Sequence, residues 1–214
     1  MRRALTRRVR AAPHAPPGIS LKSQQLTALF LGIRLYCSLV MENDVHTLLD
    51  ALTLAATGWV LYAMRGKLAR GYAARKDATR LEYVLGGCTA LALLAHPSTK
   101  HMLLHRVLWA LCVYLEAVSV LPQLRMLQRE PAVERWTANY VFALGVARFL
   151  SCAHWLLQLL DGNSFIFTAL GTGLWPMMVL LSEVVQTGIL ADFCFYYVKS
   201  VASGDAVMRL PSLV

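Results

Sequence analysis

Apolar residues in this chain gather into blocks close to the length of a bilayer crossing, separated by short polar joints. Six blocks stand out, at about Gln24 to Met41, Val45 to Met64, Leu81 to Ala95, Met102 to Leu127, Thr137 to Leu160 and Phe167 to Val198. A crossing helix needs roughly 20 mainly apolar residues. The third block is short by that measure, and the sixth is long enough to tilt or to begin outside the bilayer. The pattern predicts an all-α polytopic membrane protein with about six spans. Residues 1–17 read as an Arg/Pro-rich disordered tail, 18–200 as a single transmembrane helical domain, and 201–214 as a C-terminal tail.

Composition supports the same container, with 57% hydrophobic and 15% charged residues among 214. A net charge of +9 could point to nucleic acid, but its distribution assigns it to membrane orientation. Of 21 Lys and Arg, 17 lie in the N-terminal tail, residues 65–80, the joint around Arg125 to Arg135 and the C-terminal segment, while only Lys100 and Arg106 lie in the alternate joints. This positive-inside pattern predicts that both termini are cytosolic. The basic segments could also hold anionic lipid head groups. Cys37, Cys88, Cys112, Cys152 and Cys194 sit in apolar segments without CxxC spacing and read as packing residues, not as a metal or disulfide framework. The N-terminal tail has no apolar core, so it is not a secretory signal. Its arginines resemble a transit peptide, but Pro13, Pro16 and Pro17 favour a disordered tail.

Charges inside the apolar blocks carry the candidate chemistry. Arg34, Glu116, Arg148, Glu183 and Asp192 fall within spans, where an unpaired charge costs several kcal/mol. They are expected to face one another or a wet cavity, and a polar ligand cavity is favoured over ion pairs that only hold the bundle together. In VYLEAVSVLPQL, residues 113 to 124, Glu116 can neutralise an arginine across the bundle, while Pro122 and Gln123 bend the helix beside the cavity. LGIRL at 31 to 35 and LGVARF at 144 to 149 each set an arginine deep in a span, preceded by KSQ and LPQ respectively. Matching order suggests two parallel repeats, with the first lacking one span and Leu81 to Ala95 joining the halves.

His101, His105 and His154 are candidate pH sensors, since imidazole titrates near 6.5, or ordinary interfacial histidines. As a helical pair, His101 and His105 lack a third metal ligand, so no metal site is assigned. Trp59, Trp109, Trp155 and Trp175 suit either an interfacial belt or a cavity. No P-loop, dinucleotide fingerprint or nucleophile constellation is present, and no enzyme activity or cofactor is expected.

GISLKSQ (18 to 24), VYLEAVSVLPQL (113 to 124), NYVFALGVAR (139 to 148) and VQTGILADFCFYYV (185 to 198) together resemble the KDEL receptor family, the ER lumen protein retaining receptors. HPSTKH, FLSCAHW and LWPMMVL further resemble its divergent plant-type, receptor-like branch. The resemblance implies a seven-span bundle of two triple-helix repeats and a linking helix, akin to sugar-transporter and PQ-loop folds. Here the first helix would be missing. It also implies a sorting receptor of ER and Golgi membranes that binds C-terminal signals of luminal proteins and travels in coated vesicles, with coat proteins as further partners.

Matched by motif, Arg34 is the family arginine that meets the terminal carboxylate, and Glu116 and Arg148 form the pair that closes the cavity. Trp109, Trp155 and Asp192 match positions near the cavity or its closing helices. Departures fall at Cys37 and Arg106, where the family has acids that serve a ligand lysine, and at Ala147, Ser151 and Gln158. Arg106 in place of an acid disfavours a lysine there, so the implied ligand code is altered, with Arg106 available to the cavity. A small-solute transporter of the same architecture, or an inactive truncated relative, are the alternatives.

Overall fold

The computed structural model describes residues 18–41, 45–66, 77, 79–130, 132–160, 174–204, 208 and 210. These form seven helical segments: α1 (Leu21–Met41), α2 (Val45–Arg65), α3 (Leu81–Leu94), α4 (Leu103–Val118), α5 (Leu121–Gln128), α6 (Arg135–Leu160) and α7 (Trp175–Ala202). Among the described residues five stretches are long and apolar enough to cross a membrane, with α4 and α5 together counting as one, and α3 is a shorter apolar helix. The protein is therefore an all-α polytopic membrane protein.

Local chemistry fixes the helix ends. Ser20 caps α1, its Oγ accepting the Ser23 N–H at 3.1 Å while its carbonyl receives the Gln24 N–H at 3.2 Å. Pro122 and Pro176 sit in the first turns of α5 and α7, where a missing N–H leaves no helical bond unmade. Gly204, with φ of +69°, follows the end of α7 in the left-handed region that closes helices.

The fourth apolar block, expected as one bent span, is two helices. The chain leaves α4 after Val118 and re-enters α5 at Leu121, ahead of Pro122. Proline cannot donate to the carbonyl four residues earlier and its ring crowds that carbonyl, here Val118. The break thus falls before the proline itself. The sixth block begins its described helix at Trp175; residues 167–173 of the expected span, and most of the basic segment at 65–80, lie outside the described residues.

α1 packs against α2 and α4, α6 against α7, and α3 against α4, with α4 also reaching α7. One core cluster joins α1, α3, α4 and the start of α7 through Leu26, Phe30, Leu31, Ala110, Leu115 and Trp175. A second gathers around α5, α6 and the later half of α7, where Leu127, Val141, Leu190 and Phe193 meet. Met208 joins this second cluster, and its carbonyl accepts the Val133 N–H at 2.9 Å. On α7 the buried positions Trp175, Val179, Ser182, Gln186, Leu190 and Phe193 recur at steps of three or four, marking the inward face. Polar groups share the interior with these apolar cores while large apolar side chains face outward: Gln123 is 1% exposed, and Trp59, Leu94 and Trp136 are open to the surroundings. That distribution suits a lipid solvent, in which polar groups are satisfied within the bundle.

Candidate functional site

Each of four helices contributes one charged side chain to a single network. Arg34 on α1 donates from Nε and Nη2 to the two oxygens of Asp50 on α2, at 2.9 and 2.5 Å. Its Nη1 donates to Glu116 Oε2 on α4 at 3.1 Å. Glu116 Oε1 in turn accepts from Arg148 Nη2 on α6 at 2.5 Å. Nearby, Ser151 of α6 donates to Glu183 Oε2 of α7 at 3.2 Å, and Glu183 lies in the fields of Arg148 and Glu116.

The arrangement follows from element geometry. α1 and α4 run antiparallel and in contact, so Ser23 meets the Ser119 carbonyl at one end and Tyr36 meets His105 at the other. Arg34 and Glu116 lie between these levels. The Arg34 guanidinium also lies 5.6 Å from the Phe30 ring centroid, one turn back on α1, a cation–π contact that steers it along the helix. On α6, Arg148, Ser151 and Trp155 are spaced by three and seven residues and share a face.

The network itself balances two cations against two anions, and Glu183 beside it brings a third carboxylate. Pairing makes the network's burial tolerable, because an isolated ion would carry a desolvation penalty of several kcal/mol. The arginine side chains keep 28% and 27% of their exposure, against 14% for Glu116, so both arginines are partly open while the carboxylate joining them is more enclosed. Guanidinium edges can bind carboxylates through paired hydrogen bonds.

The structure thus brings Arg34, Glu116 and Arg148 together and adds Asp50, which the sequence pattern did not single out. Arg106 is elsewhere: its Nε donates to the Pro97 carbonyl and its Nη2 lies 3.1 Å from His96 Nδ1, so the segment before α4 engages it instead of the cavity. Asp192 is exposed on α7, nine residues beyond Glu183. That spacing is roughly 13 Å along the axis and half a turn around it, which keeps Asp192 out of the network. His101 precedes α4 and is exposed, so it forms no helical pair with His105. His105 instead stacks on Tyr36, with ring centroids 5.9 Å apart. His154 is exposed on α6. Trp109 and Trp155 are half-buried, the former packed against the first core cluster. Among the described residues no group of three His, Cys, Asp or Glu is placed to hold a metal.

Pro122 marks the α4–α5 break, while Gln123 does more than accompany it. Its Oε1 accepts the Ser20 N–H at 2.7 Å and its Nε2 donates to the Gly18 carbonyl at 2.6 Å, clamping the start of α1. Asp77 completes that end of the bundle by accepting from the Ser20 hydroxyl at 2.8 Å and the Lys22 N–H at 3.1 Å.

A multi-helix membrane bundle with paired arginines and carboxylates at its centre is the class that fold and site define. The sequence profile of the ER lumen protein retaining receptor family matches residues 16–158. Similar proteins include the ER lumen protein-retaining receptor of Drosophila melanogaster, 31% identical over 91% of this chain and 86% of its own length. The ER lumen protein-retaining receptor erd-2.2 of Caenorhabditis elegans is 34% identical over 91% of this chain and 85% of its own. The ER lumen protein-retaining receptor A of Arabidopsis thaliana is 32% identical over 91% and 86%. The chain belongs to the ER lumen protein-retaining receptor, or KDEL receptor, family, whose members are sorting receptors and not enzymes. Animal and plant members match at similar identity, so the comparison singles out no plant-type branch.

Proposed function

We propose that this protein is a retrieval receptor of ER and Golgi membranes that binds C-terminal signals of luminal proteins in its polar interior, with Arg34 anchoring the terminal carboxylate. The observation that carries this reading is a partly exposed arginine within the bundle, held by carboxylates on two other helices, in a chain of this family. Glu116 and Arg148 act as the closing pair, Trp109 and Trp155 line the approach, and Asp192 belongs to the closing helix. The bend at Pro122 and Gln123 holds α4 around that interior.

Two repeats organise this reading: α1 with α2 on one side, and the α4–α5 span with α6 and α7 on the other, joined by α3. The pairing of α1 with α2 and of α6 with α7 supports it. Residues 18–200 are the membrane domain, both termini are cytosolic, and vesicle coat proteins are the cytosolic partners. Ligand preference departs from a lysine at the fourth position from the end, because Cys37 and Arg106 supply no acid there. His101, His105 and His154 are the groups through which an acidic lumen would act.

Binding of a C-terminal peptide library to the purified chain at about pH 5.5 and 7.4, values that bracket imidazole titration, tests the proposal. Peptides with a free C-terminus bind, more tightly at the lower pH, and Arg34→Ala weakens them by about 30-fold or more, the loss of a buried charge pair. Unchanged affinity in Arg34→Ala removes the anchor. Solute flux in liposomes with no peptide binding at either pH would make the protein a transporter.

A further inference from the structure

Asp50 occupies the part of Arg34 that a ligand would need. Its two oxygens take the Nε and Nη2 edge, the side on which a guanidinium reads a carboxylate through two parallel bonds. Nη1 is engaged by Glu116, and Glu116 bridges to Arg148, so its departure would release two cations at once. Among the described residues the ion partner of Asp50 is Arg34, and Asp50 is 8% exposed. A further carboxylate added beside Arg34 would set three anions around one cation, with Glu183 already placed near Arg148 and Glu116. Like charges packed so closely are strongly disfavoured. An entering carboxylate therefore replaces Asp50 and does not join it.

We infer that Asp50 is an internal competitor that sets the specificity of this site: it holds the carboxylate-binding edge of Arg34, and a peptide's terminal carboxylate binds by exchanging with it. The inference rests on Arg34 being the anchor. The exchange is mechanically local, because α2 takes its main packing from α1, which it also meets through the 2.5 Å contact between the Ser38 and Thr47 hydroxyls. Asp50 can withdraw by a side-chain rotation or a small roll of α2, leaving α4, α6 and α7 in place. Apparent affinity is then divided by the small fraction of molecules in which the edge is open. A ligand lacking contacts beyond its carboxylate is rejected, which makes Asp50 a filter against ordinary protein C-termini.

The test compares wild type, Asp50→Asn, Asp50→Ser and Arg34→Ala as purified full chains, each first checked for a cooperative thermal transition. Probes are C-terminal peptides as free acids and as amides. Removing a competitor that closes nine molecules in ten tightens binding about tenfold. Free acids are expected to bind Asp50→Asn and Asp50→Ser that much more tightly than wild type, with no gain for amides. Arg34-dependent binding that is equal or weaker in both Asp50 variants overturns the competitor and leaves the receptor reading standing. Absence of free-acid binding in every protein, or wild-type affinity in Arg34→Ala, overturns both.

A readout on wild type covers misfolding of the variants. Asp50 gains reactivity toward a water-soluble carbodiimide when a free-acid peptide saturates the protein, and unchanged labelling counts against exchange.

Discussion

Glu116 is the residue on which the interior balances, since among the described residues it alone pairs with both arginines. Glu116→Ala removes one carboxylate and leaves Arg148 without its 2.5 Å partner, so the loss is that of a broken buried pair, about 3–5 kcal/mol. Denaturation in mixed micelles measures it, and a midpoint equal to wild type would show that the network does not hold the bundle. Arg34, Glu116 and Arg148 were legible in the sequence because a charge deep in an apolar block has few physical excuses. Asp50 was not, for it lies only five residues into its block, close enough to the polar joint at 41 to 46 to pass for a helix mouth. Its inward aim depends on how α2 rolls against α1, which local sequence does not encode. Gln123 shows the same limit. Its place beside Pro122 announced a bend, whereas its partners Gly18 and Ser20 lie more than 100 residues away. Arg106 was read as cavity-facing from its motif position; the Pro97 carbonyl that engages it belongs to a turn whose path no motif specified.

Between elements, α6 and α7 approach each other closely at Gly145. A Cβ built there would collide with Cys194 Sγ, so glycine allows these two helices to pack at their present separation. Small residues serve this purpose in membranes, where close van der Waals contact replaces the hydrophobic effect between helices. Gly145→Ala is expected to destabilise the protein by about 1–3 kcal/mol, the range for overpacking. A cavity of roughly 440 Å³ beside the contact, lined by Gly145, Cys194 and three phenylalanines, gives the thiol somewhere to turn and places the loss at the low end. Cys194→Ala in the same chain relieves the clash and restores stability; a double variant as unstable as the single one would put the strain elsewhere. Helix number and limits were largely readable, since block length and polar joints are local signals. The division of α4 from α5 was readable only as a bend, because Pro122 identifies a disrupted carbonyl without saying whether the chain curves or stops.

For the whole molecule, the decisive question is whether α3 crosses the membrane. Its 14 residues extend roughly 21 Å, short of a hydrocarbon core of roughly 30 Å. The residues after it supply the difference, since Ala95 is extended and each such residue adds about 3.3 Å. Non-helical backbone survives at membrane depth only when protein groups satisfy it. Tyr114 donates its hydroxyl to the Ala95 carbonyl at 2.9 Å and Arg106 donates to that of Pro97, so both carbonyls are met from α4. The same conclusion follows from charge, because six basic residues between Arg65 and Arg80 face only Lys100 and Arg106 in the next joint. On the proposed reading α3 with its extended continuation would make the third of six crossings, and an even number would return the chain to the side from which it started. Epitope tags at the two ends of this chain are both expected to be digested by protease added to sealed microsomes without detergent. Protection of one tag alone would mean five crossings, with α3 dipping into the bilayer and returning, and would reverse the orientation of α4, α5, α6 and α7 relative to α1 and α2.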